Sequence, residues 1–462
     1  AFDNPGTKSP GELVLLNPKG GSIALFSTVR PVYAGLNKDL AENALRELFN
    51  DGEPYEKSMG ESLRLAKNKR GNGQNDRKFM MLGDPAQHLA YPRLRVVTTK
   101  LNGIEVTPNP GSPIDTLMAL QTVTVEGRIE DQNGDLMSDF NGTIYPTLFD
   151  KAITAKTLGN DPDSYVREFR LQKNILFEGA ASVENGLFSV TMTLPKDIIF
   201  EFGTGKLSYY AFDGVDRDAT GNFEDFIIFG VDDMVASDDT PPVVDVFMND
   251  SDWSFGGLTG DRPILYVELY DDSGFNISGN SIGHDPIGVL NEDTKNTYAL
   301  NDFFEPVKDD FRRGIIRYPL QKLEPGRYSI RVRAWDIHNN PGEGYTEFVV
   351  GTVEDGALAH VLNYPNPFGS WTNFQFEHNL AGQRLEVNIQ IFDMTGRPVK
   401  TITEVLNGES NRVSSMGWDG KTDLGGELPN GLYLYKIRIR ALDGLRAGQD
   451  AESSVEKLVL LK

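Results

Sequence analysis

Leu385-Glu386-Val387-Asn388-Ile389-Gln390-Ile391, followed by Asp393-Met394-Thr395-Gly396, alternates apolar with polar side chains and then turns. A period of two puts Leu385, Val387, Ile389 and Ile391 on one face of a strand and polar residues on the other. One face is therefore for a core and one for water. The same grammar runs from about Arg93 onward: short alternating segments divided by Gly, Pro, Asn and Asp every ten residues or so. That spacing predicts stacked β-sandwiches.

Two breaks cut this all-β stretch. Asp238-Asp239-Thr240-Pro241-Pro242 reads as a stiff acidic linker, and Gly351-Thr352-Val353-Glu354-Asp355-Gly356 as a flexible one. The expected sections are 93–237, 238–352 and 353–462. A weak repeat links them. Tyr210-Ala211-Phe212-Asp213 leads through a polar loop to Phe226-Ile227-Ile228-Phe229-Gly230, as Arg333-Ala334-Trp335-Asp336 leads to Phe348-Val349-Val350-Gly351. Leu323-Glu324-Pro325-Gly326-Arg327-Tyr328 recurs in outline as Leu428-Pro429-Asn430-Gly431-Leu432-Tyr433. A turn followed by Tyr entering a strand is the tyrosine corner of immunoglobulin-like sandwiches.

Residues 1–92 read differently. Ile23 to Val29 and Lys78 to Leu82 are continuous apolar runs, as in strands covered on both faces. Between them lie one helical stretch over 37–49, with Leu40, Ala44, Leu45 and Leu48 on one face and Asn50-Asp51-Gly52 as its stop, and a second. The second is announced by Ser58-Met59-Gly60-Glu61, a capping-box spacing, and carries Leu63, Leu65 and Ala66. Strand, helix, helix, strand is half of an α/β domain. Two such strands alone would leave long edges unpaired, so the reading expects more sheet upstream of Ala1 or from another chain. The fold class is thus mainly β: an α/β remnant followed by three immunoglobulin-like β-sandwiches.

Composition narrows the chemistry. The 462 residues carry a net charge of −22, which argues against nucleic acid as a partner, since a phosphate-binding surface is basic. There is no cysteine, so the chain holds no disulfide, thiolate zinc site or thiol nucleophile. Asp213, Asp216 and Asp218 lie in a carboxylate-rich loop and are weak candidates for Ca²⁺. The EF-hand register fails there, because position 12 counted from Asp216 is Ile227; a solvated acidic turn is the favoured reading. Ser281, His284 and Asp285 invite a triad reading, but triads are defined in space and this segment is a Gly- and Pro-marked loop. The five histidines, at 88, 284, 338, 360 and 378, fall singly, with no His-x-His or His-Glu-x-x-His spacing. No metal site and no cofactor are expected beyond that calcium candidate.

The last section carries the more specific motifs. Tyr364-Pro365-Asn366-Pro367-Phe368, Ile391-Phe392-Asp393-Met394-Thr395-Gly396, Leu428 to Tyr433 and the closing Lys457-Leu458-Val459 together resemble the C-terminal sorting domain of type IX secretion substrates in Bacteroidetes. Trp418-Asp419-Gly420 adds a likeness to the FlgD-type immunoglobulin-like fold. At the other end, Gly11-Glu12-Leu13, Asn17 to Ala24 and Leu82-Gly83-Asp84-Pro85-Ala86 look like the end of a gingipain-type, caspase-like cysteine peptidase domain. Phe376-Glu377-His378-Asn379 and the acidic sandwich beginning at Thr240 are similar to the sortase of that secretion system.

The resemblance implies a cell-surface peptidase, held at the outer membrane, that removes sorting domains from secreted cargo and joins the cargo to an anionic lipopolysaccharide. Its implied partners are a PorV-type outer-membrane barrel, PorQ and PorZ, cargo proteins, and the upstream half of its own peptidase domain. In that family the histidine and the cysteine precede the stretch matching Ala1-Phe2-Asp3, so no residue here is given a catalytic role and His88 is no substitute. The implied docking residues are Tyr364, Pro365, Asn366, Pro367, Phe368, Gly431, Tyr433, Lys457, Leu458, Val459 and Leu460. A terminal strand is also an element that partners read by β-augmentation. Two other readings stand beside this one: a secreted adhesin or other cargo built of stacked sandwiches, and a general protease with similar domains.

Overall fold

Side-chain capping starts the chain's first helix. In Pro10–Leu15 the Ser9 hydroxyl accepts from the Glu12 amide at 3.3 Å, while the Glu12 carboxylate accepts from the Ser9 amide at 2.7 Å. The computed structural model describes residues 6–18, 20–49, 57–71, 73–107, 113–161, 164–232, 234–278, 283–351, 358–408, 410–444 and 447–462. The chain divides into two compact units, one of residues 1–95 with 131–135 and 215–220, the other of the remainder.

In the first unit two helices, Ala34–Leu48 and Met59–Lys69, pack Leu40, Ala44 and Ala66 against Phe26 and Phe79. Leu25–Thr28 and Phe79–Leu82 pair with each other, antiparallel, and every residue of both is only half-buried. Among the described residues the two runs form a two-stranded ribbon, neither strand of which is fully buried. Leu45, placed on the buried face from sequence, is 55% exposed. Ser58 caps its helix as expected, but Glu61 turns outward to Arg64, so only half of the capping box forms. The Asn50-Asp51-Gly52 stop lies outside the described residues.

The second unit holds three sections, each with two main sheets. In the first, Lys206–Phe212 runs antiparallel to Gly142–Phe149, and Leu187–Thr193 antiparallel to Thr122–Glu130, within one large sheet. Asp115–Ala119 and Phe226–Val231 form the other with Gly203–Thr204. The repeat proposed from sequence breaks here. Lys206–Phe212 and Phe226–Val231 lie in different sheets, whereas Gly326–Trp335 and Pro341–Val350 make one hairpin.

In the second section that hairpin's sheet supplies Ile330, Val332 and Phe348 to a core shared with Val246, Val267 and Ile316 of the opposite sheet. In the third, Phe374, Phe376, Met416 and Trp418 face Val387, Ile389, Ile437 and Ile439. Leu385, Val387, Ile389 and Ile391 are all fully buried, as their period of two requires.

Both tyrosine corners form. The Tyr328 hydroxyl donates to the Glu324 carbonyl and the Tyr433 hydroxyl to the Pro429 carbonyl, each at 2.8 Å. Tyr433→Phe should lower the stability of its section by about 1 kcal/mol. A urea titration reads this as a lower midpoint at unchanged slope; an unmoved midpoint would refute the corner's contribution.

Polar joints tie the three sections together. Asp309 accepts from the amide and hydroxyl of Ser182, each at 2.7 Å. Asp197 accepts from Asn276 and Asn339 and contacts His284. On the far side, Asn249 donates to the Asn411 side chain, which in turn donates to the carbonyl of His378.

Candidate functional site

The sequence gathers its most specific motifs at the two ends of the third section, and the fold brings those ends together. Glu456–Leu460 pairs antiparallel with Gly431 to Tyr435 along one edge. Its other edge is covered by the Tyr364–Phe368 motif. Asn366 acts as a side-chain clamp: its amide nitrogen donates to the Lys457 carbonyl at 3.0 Å and its oxygen accepts from the Val459 amide at 2.9 Å. Phe368 then continues as backbone, donating to the Val459 carbonyl at 3.0 Å and accepting from the Leu461 amide at 2.8 Å. An Asn side chain sets an N–H donor and a carbonyl acceptor side by side, as a peptide group does, which is why it can substitute for a strand residue here.

This corrects the idea of a bare terminal strand offered to a partner. Its backbone is engaged on both sides. Beyond it, Asn430 exchanges hydrogen bonds with the backbone of Lys462, whose ammonium pairs with Glu427 and holds that carboxylate below its usual range.

The eleven proposed docking residues separate by exposure. Leu458 and Leu460 are wholly buried, Phe368 packs its ring 5.5 Å from Trp418, and Tyr433 is buried with its phenol raised above its ordinary range by that burial. These four build the section rather than its surface. Gly431 and Val459 are half-buried, and Tyr364, Pro365, Asn366, Pro367 and Lys457 are exposed. Tyr364, at 69% exposure, forms with Leu362 and Trp371 a set of large apolar side chains left open to solvent along 362–371. Both X-Pro bonds of the motif, Tyr364-Pro365 and Asn366-Pro367, are cis.

Among the described residues no catalytic constellation comes together. The chain has no cysteine, and His88 is exposed. Ser281 lies outside the described residues. His284 contacts Asp197 at 2.7 Å rather than Asp285, whose carboxylate accepts from Asn301. The calcium candidates Asp213, Asp216 and Asp218 do not figure in any convergent ligand group among the described residues. The group that does converge is Asp238, Asp336 and His338. The sequence alone does not bring them together, because Asp238 reads as linker and His338 as one of five scattered histidines. The signal was the polar turn Asp336-Ile337-His338-Asn339-Asn340 following a strand.

Residues 1–90 match the model of peptidase family C25, and residues 363–442 match that of a secretion system C-terminal sorting domain. One chain thus joins a segment similar to peptidase family C25 to one similar to a secretion-system sorting domain, through a mainly β body. The dimeric latent PorU of Porphyromonas gingivalis is 26% identical over 95% of this chain, with a TM-score of 0.39, and the chain spans 41% of that protein's length. Fibronectin(III)-like modules of CbhA from Clostridium thermocellum align at 9% identity and a TM-score of 0.19, over 47% of this chain and 93% of theirs. The Bacteroides ovatus protein SGBP-B, in complex with a mixed-linkage heptasaccharide, aligns at 10% and 0.24, over 79% and 70%. No curated protein matches the chain.

Proposed function

We propose that this chain is the scaffold and docking portion of a cell-surface sortase of the type IX secretion system. Residues 1–92 contribute to a gingipain-like peptidase domain, the sandwiches of 93–352 space it from the membrane, and 353–462 tether it to a PorV-type barrel with PorQ and PorZ. The parent enzyme would take cargo sorting domains off by thiolate attack and pass the cargo to anionic lipopolysaccharide. With no cysteine in the chain, the nucleophile is supplied by other residues. The observation that carries the reading is the pairing of a family C25 segment with a sorting tail in one chain.

A sortase keeps its tail, whereas a cargo protein loses it on maturation. Intact mass of protein extracted from the cell surface should therefore include residues 353–462. A mature form ending near residue 352 would favour the adhesin or cargo reading. Tethering is tested on exposed side chains, because Leu458 and Leu460 are core. Tyr364→Ala with Lys457→Ala should weaken retention by the barrel at least tenfold while leaving the melting temperature unchanged. Retention equal to the parent's would remove this surface from the tether.

A further inference from the structure

We infer that Asp238, Asp336 and His338 form a site for one divalent transition-metal ion of the zinc class, set where the acidic linker meets the second sandwich. Each residue offers a ligand atom, and the three atoms lie within 4.8 Å of one another. They come from distant parts of the sequence. Asp238 opens the linker, while Asp336 and His338 sit in the turn between Gly326–Trp335 and Pro341–Val350.

The local bonding holds both carboxylates in place beside the imidazole, and leaves one Asp238 oxygen facing it. One oxygen of Asp336 accepts the amides of His338 and Asn340, at 2.9 and 2.7 Å, and the other accepts the Asn340 side chain at 2.7 Å. The same Asn340 nitrogen donates to the Asp238 carbonyl at 2.9 Å, pinning the linker beside the turn. One oxygen of Asp238 is used by the Thr240 amide; the other lies 3.8 Å from Nδ1 of His338. Asp336 is fully buried.

His338 supplies the independent observation. Both of its ring nitrogens are shut off from solvent, and neither has a hydrogen-bond partner. Buried polar atoms are nearly always satisfied, so an imidazole orphaned at both nitrogens beside two carboxylates calls for a partner of another kind. A metal ion meets that need at one nitrogen. The donor set also selects the ion. Ca²⁺ and Mg²⁺ take oxygen shells, whereas imidazole with carboxylates suits zinc and its neighbours. Bonds of about 2.0–2.1 Å in a tetrahedron put donors roughly 3.3 Å apart, so the 3.8 Å gap closes with a small rotation of Asp238, which is 27% exposed. Three protein ligands leave a fourth position for water.

Such an ion would stiffen a joint. The amide of Lys196 in the first section donates to the Ile337 carbonyl at 2.8 Å, and Asp197 accepts from Asn339, so the metal-binding turn also receives the first sandwich.

The test uses the full chain, stripped with EDTA and titrated with ZnCl₂ by calorimetry, with bound metal counted by plasma mass spectrometry. One equivalent should bind with micromolar affinity or better. His338→Gln and, separately, Asp238→Asn should each weaken it at least tenfold, with circular dichroism of the stripped proteins unchanged. Zinc should also slow proteolytic cleavage near residue 238 in the parent chain and not in either variant. Absence of binding, or binding that both variants retain, overturns the site. Binding of CaCl₂ in preference to ZnCl₂ at these residues overturns the choice of ion.

Discussion

Leu458→Ala combined with Leu460→Ala is expected to unfold the C-terminal sandwich while the rest of the second unit stays folded. Both side chains are at zero exposure in a core with Phe368, Trp418, Tyr433 and Tyr435. Truncating a buried leucine costs about 2–5 kcal/mol, from lost transfer energy and the cavity left behind. The two act on one strand and share neighbours, so the costs will not add simply. Even a combined loss of about 4 kcal/mol is a large part of the ~5–15 kcal/mol that holds a domain. Trp418 reports the event, being 2% exposed, its indole donating to the Lys421 carbonyl at 3.0 Å. Its emission should shift to the red in the double variant at a urea concentration where the parent is unchanged. A double variant whose midpoint moved by less than about 1 kcal/mol would mean that the terminal strand is not part of the core.

The second large effect is on acid stability. His378 is wholly buried at the joint between the second and third sections; its Nδ1 accepts from the Leu380 amide at 3.2 Å and its Nε2 has no partner. Burial without a counter-charge pulls its pKa from 6.5 down to about 4. The unfolded chain therefore binds a proton below pH 6.5 that the folded chain refuses until about pH 4. Stability from this group is complete above pH 6.5, declines as the pH falls through the interval, and levels off below 4. The full span is roughly 3 kcal/mol, of which about 2 kcal/mol falls between pH 6.5 and 5, before most carboxylates titrate. His378→Gln keeps an acceptor for Leu380 and removes the proton. The difference in unfolding free energy between the two proteins, followed from pH 7 to 5, should change by about that 2 kcal/mol, the parent losing more. Parallel profiles would show that His378 titrates normally.

Much of this molecule is legible where local rules and tertiary packing agree. Leu385 to Ile391 could be read as a half-buried strand because one pattern fixes both period and face. The two tyrosine corners could be read because a turn, a tyrosine and its carbonyl partner lie within five residues. Reading failed where the deciding neighbour is distant. Leu45 satisfies a helical period, yet it is 55% exposed among the described residues. The apolar runs at Leu25 and Phe79 read as doubly covered strands and, among the described residues, form a half-buried pair. The Pro10–Leu15 helix was passed over although Ser9 and Glu12 announce it, since six residues give no period to detect. The joints are of the same kind: Asn249 and Asn411 are 162 residues apart. Asp238 and His338 are likewise far apart in sequence, and their individual settings, a linker and a turn, give no hint of each other.

The clamp of Asn366 and Phe368 on the terminal strand has a mechanical side. Phe368 and Leu460 are bridged in parallel, so a pull on the section through residue 358 at one end and residue 462 at the other drives the two segments past each other in opposite directions. The two Asn366 contacts and the two Phe368 backbone bonds then bear load together, in shear, instead of opening one after another as in a peeled hairpin. A section closed in this way resists extension along its own axis and yields most easily to a force applied across it.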